Sequence, residues 1–185
     1  MRAPAKYETV LLSVSGLRLE EARNLELQDV DLQSAVLTIR SGKFGKSRLV
    51  PLHRSTLDVL ADYLARRSRF AAGRSISSYL LVSSRGKRLD VRVVHKTFHV
   101  LSRQAGLRGP SDTRGPRLHD FRHRFALMTL LNWYRNGEDA ERLLPVLSTY
   151  LGHVRISGTY WYLQSYPELM RAAMARLERR WEGQS

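Results

Sequence analysis

Five basic side chains of the types that bind phosphate are spread over four short segments of the sequence. They are Arg18, Lys43, His119, Arg122 and His153. Arginine donates paired hydrogen bonds to phosphate oxygens and stays protonated at any working pH. A lysine at a turn can deliver a proton to a departing alkoxide. These residue types predict chemistry on a phosphodiester, with preorganised cations that stabilise the charge of the transition state.

Tyrosines that follow the last of these segments supply candidate nucleophiles. A tyrosine oxygen can attack phosphorus, although the ordinary tyrosine pKa of about 10 means that nearby groups must help it lose its proton. Tyr162 lies nine residues after His153, and Tyr160 lies seven residues after it. The sequence offers no obvious carboxylate cluster to hold a metal. The pattern therefore predicts covalent catalysis without a metal or another cofactor.

A zinc site is the alternative from another class of enzyme. His119 and His123 lie at positions i and i+4, an arrangement that can bind zinc, and His153 would be a third ligand. This alternative places the permanent cation of Arg122 beside the metal. It also gives no role to the other basic residues or to the tyrosines.

Helices and one small β-sheet must position these residues. Residues 36–40 and 48–52 have the composition of paired strands, and the two glycines and two lysines between them predict a cationic hairpin tip. Glu21 lies one helical turn from Arg18 and can contact it. The helix after the sheet has a predicted buried stripe of Leu57, Leu60, Ala61 and Leu64. Further helices are predicted from Val91, over 118–134 and 138–151, and from Pro167. The fold class is mainly α with a small antiparallel β-sheet (α+β).

The composition excludes several classes of protein. Lysine and arginine number 31 against 17 aspartate and glutamate, a formal net charge of +14, which favours a polyanionic partner such as nucleic acid. The chain has no cysteine, which excludes disulfides, zinc–cysteine sites and thiol nucleophiles. No apolar run approaches the roughly 20 residues that span a bilayer, and the N-terminus lacks a secretory signal. We therefore expect a cytoplasmic protein with no membrane partner.

In chain order, these segments resemble the boxes of the tyrosine recombinase (phage integrase) family. The boxes are Gly16-Leu17-Arg18-x-x-Glu21, Gly42-Lys43-x-x-Lys46-x-Arg48-x-Val50-Pro51, His119-x-x-Arg122-His123, Leu151-Gly152-His153 and Tyr162. Together they keep the order of the family and nearly its spacing over essentially the whole chain. The nine residues from His153 to Tyr162 are typical of these recombinases.

The resemblance implies a tyrosine recombinase catalytic-domain fold in which basic side chains bind the scissile phosphate. Arg18 and Arg122 would clamp its non-bridging oxygens, and His153 would hydrogen-bond to it. Glu21 would orient the arginine site without contacting the phosphate itself.

The resemblance also implies two proton-transferring residues and a nucleophile. His119 would accept or share the tyrosine proton, and Lys43 would protonate the departing 5′ oxygen. Lys43 is favoured over Lys46 because it directly follows the glycine that opens the turn. Tyr162 is favoured over Tyr160 by its spacing and would form a 3′-phosphotyrosyl link. That link would conserve the energy of the DNA bond for religation.

By this resemblance, residues 1–185 form a single catalytic domain that acts on double-stranded DNA. The N-terminal core-binding domain of the family has no counterpart in the sequence. We expect self-association into a tetramer on DNA, in a bacterial or phage-associated nucleoid. The C-terminal helix, 167–185, has a stripe of Met170, Met174, Leu177 and Trp181. This stripe either covers the chain's own core or docks on a neighbouring protomer.

Two further alternatives concern DNA-binding proteins. A type IB topoisomerase shares the fold and the phosphotyrosine mechanism but relaxes supercoils, and the hairpin and Leu-Gly-His boxes look more like those of recombinases. A catalytically inactive DNA-binding fragment of a recombinase would carry the same basic charge. A covalent adduct on nicked DNA would separate the inactive fragment from an enzyme.

Overall fold

A computed structural model describes residues 4–40, 45, 47–109, 111–153 and 155–182. The chain divides into two compact units, Met1–Arg122 and His123–Ser185. Helix α5 begins in the first unit and ends in the second. Among the described residues, no helix is both long enough and apolar enough to cross a membrane.

The first unit combines helices with a small sheet. Its helices are α1 (Pro4–Ser15), α2 (Leu19–Asn24), α3 (Arg54–Ala71), α4 (Val91–Gln104) and the start of α5 (Leu118–Arg135), with a 3₁₀ turn at Leu27–Asp29. The strands β1 (Val30–Asp31), β2 (Val36–Ile39) and β3 (Arg48–Pro51) form an antiparallel sheet in the order β1-β2-β3. The second unit holds the rest of α5, α6 (Ala140–Leu151), α7 (Ser157–Ser165) and α8 (Pro167–Glu182). The predicted mainly α fold with a small antiparallel sheet is confirmed.

The predicted strand pair is present, with one face in the core. Leu37 pairs with Val50, and both are fully buried, as is Ile39 two positions along β2. The alternation of buried and more exposed residues is the period that a half-buried sheet imposes. The cationic tip with Lys43 and Lys46, predicted between these strands, lies outside the described residues.

Helix α3 buries the predicted stripe only in part. Leu60 is buried, Leu57 and Leu64 are half-buried, and Ala61 is exposed. The other buried positions include Tyr63 and Arg67. The Tyr63 hydroxyl donates to the Leu80 carbonyl at 3.0 Å, and Arg67 Nε donates to the same oxygen at 3.1 Å. Arg67 Nη2 donates to two further carbonyls of the same segment. These polar ends are buried because backbone oxygens satisfy them.

Helix α1 carries a buried carboxyl group in the first unit. It packs against α2, α3 and α4, and its Glu8 side chain is fully buried. Neither carboxylate oxygen of Glu8 has a hydrogen-bond partner among the described residues. Burial raises the pKa of Glu8 to about 8, against partial opposition from the charges of Arg23 and Arg88. The folded unit therefore holds Glu8 mainly as the neutral acid at pH 7.

We expect the stability of this unit to fall as the pH rises, because unfolded Glu8 ionises near its ordinary pKa of 4.5 and folded Glu8 near 8. A raised folded pKa contributes stability that is complete below the unfolded pKa and lost as the pH rises through the folded one. Glu8→Gln removes this titration. Its melting temperature should exceed that of the wild type by on the order of 5–10 °C at about pH 8 and much less at about pH 5. Scanning fluorimetry measures the melting temperatures at both pH values, and Glu178→Gln, at an exposed position, is the control. An equal difference between Glu8→Gln and the wild type at the two pH values would contradict the expectation.

An apolar core holds the second unit together. Its buried members are Ala126, Leu130, Leu131, Tyr134, Ala140, Leu144, Leu147, Leu151, Tyr162 and Leu169. Helix α6 ends at Gly152, whose φ of +63° lies in the left-handed region that glycine adopts at helix ends. Helix α7 then carries Tyr162 into this core. The apolar periodicity of the sequence does not predict α7.

The apolar stripe of α8 faces outward. Leu169 is fully buried, and Ala172 and Ala173 pack against the core of the second unit. The exposed fractions of the stripe residues are 55% for Met170, 54% for Met174, 44% for Leu177 and 64% for Trp181. The interpretation that this stripe covers the chain's own core is therefore wrong.

Candidate active site

The predicted site residues occur in both units. The first unit holds Arg18, Glu21, His119 and Arg122, and the second holds His153 and Tyr162. Lys43 lies outside the described residues.

A buried carboxylate links α2 to β3. Glu21 is 8% exposed, and its Oε1 accepts hydrogen bonds from Arg18 Nη1 at 2.9 Å and Arg48 Nη1 at 3.0 Å. Its Oε2 accepts from the Arg18 backbone N–H at 2.9 Å and from Arg48 Nη2 at 2.8 Å. Burial acts to raise the pKa of Glu21, but the hydrogen bonds from Arg48 and Arg18 outweigh it and lower the pKa to about 2. Glu21 is therefore ionised throughout the neutral range.

This carboxylate fixes Arg18 at the start of α2. Arg18 is the N-cap residue of α2, and Glu21 completes a capping box by accepting its backbone N–H. The predicted contact between Arg18 and Glu21 is present. The same carboxylate also binds Arg48, the first residue of β3. Arg48 belongs to one of the family boxes, but the sequence assigned it no role.

We expect Glu21→Gln to lower the free energy of unfolding by about 3 kcal/mol, because it leaves two guanidinium groups without their buried counter-charge. Glu20→Gln is the matched control on the same helix. Glu20 is 60% exposed where it pairs with Arg23 and Arg88, and exposed pairs contribute at most about 1 kcal/mol. Unfolded Glu21 protonates near its ordinary pKa of 4.5 and folded Glu21 near 2, so the difference should be complete above about pH 5 and decline as the pH falls towards 2. Equal losses for the two variants in urea denaturation would contradict this role of Glu21.

Arg122 is buried against the loop that leads to Arg18. It is 2% exposed, and its Nη1 donates to the carbonyl oxygen of Gly16 at 2.9 Å. Gly16 has a φ of +61°, a left-handed conformation that costs glycine little because it lacks a Cβ. The turn that ends α1 thus accepts a hydrogen bond from Arg122, and Arg18 follows two residues later. The structure brings Arg122 together with the segment that carries Arg18.

An open cavity of about 670 Å³ adjoins His119 in the first unit. Leu17 and Leu19, the neighbours of Arg18, line one part of it. Its polar lining contains imidazole and guanidinium groups and no acidic side chain among the described residues: His95, His99, Arg108, Arg114, Arg117 and His119. This lining suits a phosphate-bearing ligand.

The loop between α4 and α5 is built around one of these arginines. The Arg108 guanidinium donates to the carbonyls of Asp112 at 3.4 Å and Pro116 at 3.0 Å. Arg108 is 7% exposed, so its guanidinium is a buried support for the loop. His119, on the first turn of α5, is exposed.

In the second unit, Tyr162 has a hydrogen-bond partner that the sequence did not predict. Tyr162 is 2% exposed, and its hydroxyl oxygen lies 3.1 Å from Nδ1 of His123. The two rings pack edge to face, with centroids 5.6 Å apart at 61°. From the sequence, His123 was only a member of the His119-x-x-Arg122-His123 box and a candidate zinc ligand. Tyr160, the alternative nucleophile, is 43% exposed on the same helix.

His153 is oriented by its neighbours in the second unit. It follows Gly152 at the end of α6, and its Nδ1 lies 2.9 Å from Oγ1 of the buried Thr159. The backbone of Gly158 lies close to the imidazole, since a Cβ added there would come within 3.4 Å of Nδ1. These contacts fix the plane of the ring.

The zinc alternative receives no support from the structure. Within the described ranges, no three histidine, cysteine, aspartate or glutamate side chains are grouped so that they could hold a metal ion.

Comparisons with known proteins indicate the same family as the sequence motifs. The model of the Phage integrase family matches residues 3–168. A protein of Sinorhizobium fredii that carries the name integrase/recombinase y4rB is 64% identical over 172 residues, which are 93% of this chain and 55% of that protein. The chain spans about half the length of the curated relatives it matches.

Solved structures share the fold. The crystal structure of XerA recombinase matches with a TM-score of 0.71 and 26% identity, over 95% of this chain and 63% of that one. The Tn1549 transposon integrase in complex with transposon right end DNA matches with a TM-score of 0.68 over 94% of this chain and 57% of that one. Its identity is 18%, so that likeness concerns the fold alone.

Proposed function

Because the chain belongs to the phage integrase family of tyrosine recombinases, we propose that it is the catalytic part of a site-specific DNA recombinase. In this proposal, Tyr162 attacks a backbone phosphate of double-stranded DNA. The bond from its oxygen to phosphorus forms as the bond from phosphorus to the 5′ oxygen breaks, which leaves a 3′-phosphotyrosyl link. Attack by a new 5′ hydroxyl reverses these steps and joins the strand to its partner. The bond exchange is balanced and requires no energy source.

The observation that carries this proposal is the arginine arrangement of the first unit. Arg122 donates to Gly16, and Arg18 two residues later is held by the ionised Glu21. The Arg122 guanidinium is thus held by a backbone carbonyl two residues from Arg18, and Arg18 by a buried carboxylate, before any substrate arrives. Such preorganised donors stabilise the extra negative charge of a pentavalent phosphorus transition state without reorganising.

The remaining roles follow the resemblance. The resemblance assigns the tyrosine proton to His119 and the protonation of the departing 5′ oxygen to Lys43. His153 hydrogen-bonds to the phosphate, and its contact with Thr159 supports this role because it orients the imidazole. No metal or other cofactor takes part.

The proposed partner is double-stranded DNA, in a bacterial or phage-associated nucleoid within the cytoplasm. The net charge of +14 and the cationic lining of the cavity beside His119 support this partner. The likeness in fold to a transposon integrase in complex with DNA supports it further.

A suicide substrate tests the proposed function. The duplex carries the DNA ends on which the recombinase acts and is nicked beside the scissile phosphate. After cleavage, the short fragment that bears the free 5′ hydroxyl dissociates. Religation is then impossible, and the covalent intermediate is trapped. We expect a protein–DNA adduct that survives denaturant and forms equally well in a chelator. Adduct formation that requires a metal would contradict the mechanism. Binding without any adduct would favour the inactive DNA-binding fragment. In a parallel assay on a supercoiled plasmid that carries the same ends, relaxation without strand exchange would favour a topoisomerase.

We also propose that copies of the chain associate on DNA into a tetramer, with the α8 stripe as the contact. Exposed apolar residues at helical spacing are suited to a groove on another copy. Met174→Asp, in the middle of the stripe, should leave the complex of one copy with DNA intact and weaken the larger complexes about tenfold or more in native gels. Glu178→Asp is the control on the same helix, outside the stripe. Equal amounts of large complexes for the two variants would contradict a contact through α8.

A further inference from the structure

We propose that His123 is the base that takes the proton of Tyr162 as the tyrosine attacks phosphorus. The proposal rests on the proposed function and replaces the proton acceptor that the family resemblance names. The Tyr162 hydroxyl oxygen lies 3.1 Å from His123 Nδ1, within the roughly 2.6–3.2 Å over which a general base acts directly. His123 therefore contacts the reacting atom itself.

The surroundings of the pair favour this role. Tyr162 is 2% exposed and belongs to the apolar core of the second unit. Bulk water has little access to such a residue, and a buried hydroxyl depends on protein groups to take its proton. The edge-to-face packing of the two rings, with centroids 5.6 Å apart, holds the imidazole beside the hydroxyl. Each residue lies on a helix, His123 on α5 and Tyr162 on α7, so the contact is set by the fold of one unit.

The proton balance closes over one catalytic cycle. With its own proton on Nε2, neutral His123 has a lone pair on Nδ1 that accepts the tyrosine O–H. As the oxygen–phosphorus bond forms, the O–H bond breaks and the proton moves to Nδ1, while the departing 5′ oxygen takes a proton from Lys43. In religation, His123 returns its proton to the tyrosine oxygen, and Lys43 recovers a proton from the incoming 5′ hydroxyl.

Proton transfer accompanies the attack rather than precedes it. The pKa of free tyrosine, about 10, lies well above that of free histidine, about 6.5, so full transfer before attack is unfavourable. As the tyrosine oxygen bonds to phosphorus, its proton becomes more acidic and passes to the imidazole. A base that acts in this way typically contributes a factor of about 10²–10⁴ to the rate.

His123→Asn tests the proposal directly. An asparagine amide can keep a hydrogen bond near the Nδ1 position but cannot take a proton. We expect single-turnover adduct formation on the nicked duplex to slow by about 10²–10⁴-fold, with unchanged DNA affinity. His53→Asn is the matched control, since His53 caps α3 and asparagine serves well as an N-cap. An unchanged rate for His123→Asn would overturn the proposal. A faster rate would overturn it as well, and would mean that the contact holds the tyrosine in a resting position.

A fluorotyrosine at position 162 separates a base from a merely structural residue. If its phenol ionises near neutral pH, it no longer needs a base, so the deficit caused by His123→Asn should shrink to about tenfold or less. The same deficit with tyrosine and fluorotyrosine would overturn the proposal, because a structural defect affects both nucleophiles alike.

Nitrogen NMR of the wild-type protein provides a readout that does not depend on activity. We expect His123 to carry its proton on Nε2 at neutral pH, with the Nδ1 shift changed by Tyr162→Phe. A proton on Nδ1 would overturn the proposal even if the protein formed no adduct. An absent adduct with the expected tautomer would count against the recombinase function, while the pairing of His123 with Tyr162 would stand.

Discussion

We expect Tyr162→Phe to abolish the covalent adduct with nicked DNA and to leave DNA affinity nearly unchanged. We expect a loss of at least about 10⁴-fold in adduct formation, because phenylalanine has no oxygen with which to attack phosphorus. The phenylalanine ring keeps the packing of Tyr162 in the core of the second unit. The hydrogen bond to His123 is lost, at a cost of about 1 kcal/mol. Affinity persists because it is distributed over many phosphate contacts. Gel shift and denaturing gels on the same samples measure both quantities.

Tyr160→Phe is the matched control for this prediction. Tyr160 is exposed on the same helix and is the alternative nucleophile from the sequence. The control should form the adduct at close to the wild-type rate. If Tyr160→Phe alone removed the adduct, Tyr160 would be the nucleophile. If Tyr162→Phe abolished DNA binding together with the adduct, the loss of one hydroxyl could not explain the result.

Arg122→Lys separates catalysis from affinity. The guanidinium of Arg122 donates to Gly16 and in the proposal also to a phosphate oxygen. An ammonium keeps the charge but cannot reproduce this fork of donors. We expect cleavage to slow by about 10²–10³-fold, the usual cost of one lost donor to a developing oxyanion. DNA affinity should change by no more than about threefold, since one phosphate contact is a small part of the electrostatic footprint.

The control for Arg122→Lys is Arg66→Lys on α3. Arg66 is an exposed arginine paired with Asp62, and its replacement by lysine should leave cleavage and binding as they are. Single-turnover rates and equilibrium binding titrations distinguish the possible outcomes. Near-normal cleavage by Arg122→Lys would contradict the clamping role. A loss of affinity as large as the loss of rate would make Arg122 a DNA anchor instead.

The sequence predicted the features that depend on residues close together in the chain. The strand pair around Leu37 and Val50 follows from the strand-favouring composition of both segments and the glycines between them. The contact of Arg18 with Glu21 follows from helical spacing. The buried stripe of α3 was predicted only in part, because apolar periodicity gives no weight to Tyr63 and Arg67. Their polar ends are buried only because the carbonyls of a distant segment accept their hydrogen bonds.

The contacts that define the candidate site are not local, and residue spacing could not predict them. Arg122 bonds to Gly16 and His123 to Tyr162, across 106 and 39 positions of the sequence. The sequence named Arg122 and Tyr162 through residue type and family resemblance. It offered His123 only as the neighbour of Arg122 and as a zinc-ligand candidate. Nothing in its spacing relates it to a tyrosine on a helix that the periodicity did not predict.

The most direct test of the phosphotyrosine mechanism is to identify the amino acid that carries the DNA. The adduct from the nicked duplex would be digested with nuclease and protease, and the linked peptide sequenced by mass spectrometry. The predicted result is a nucleotide joined through its 3′ phosphate to the oxygen of Tyr162. A nucleotide on Tyr160 or on another residue, or a link through the 5′ phosphate, would contradict the mechanism proposed for this chain.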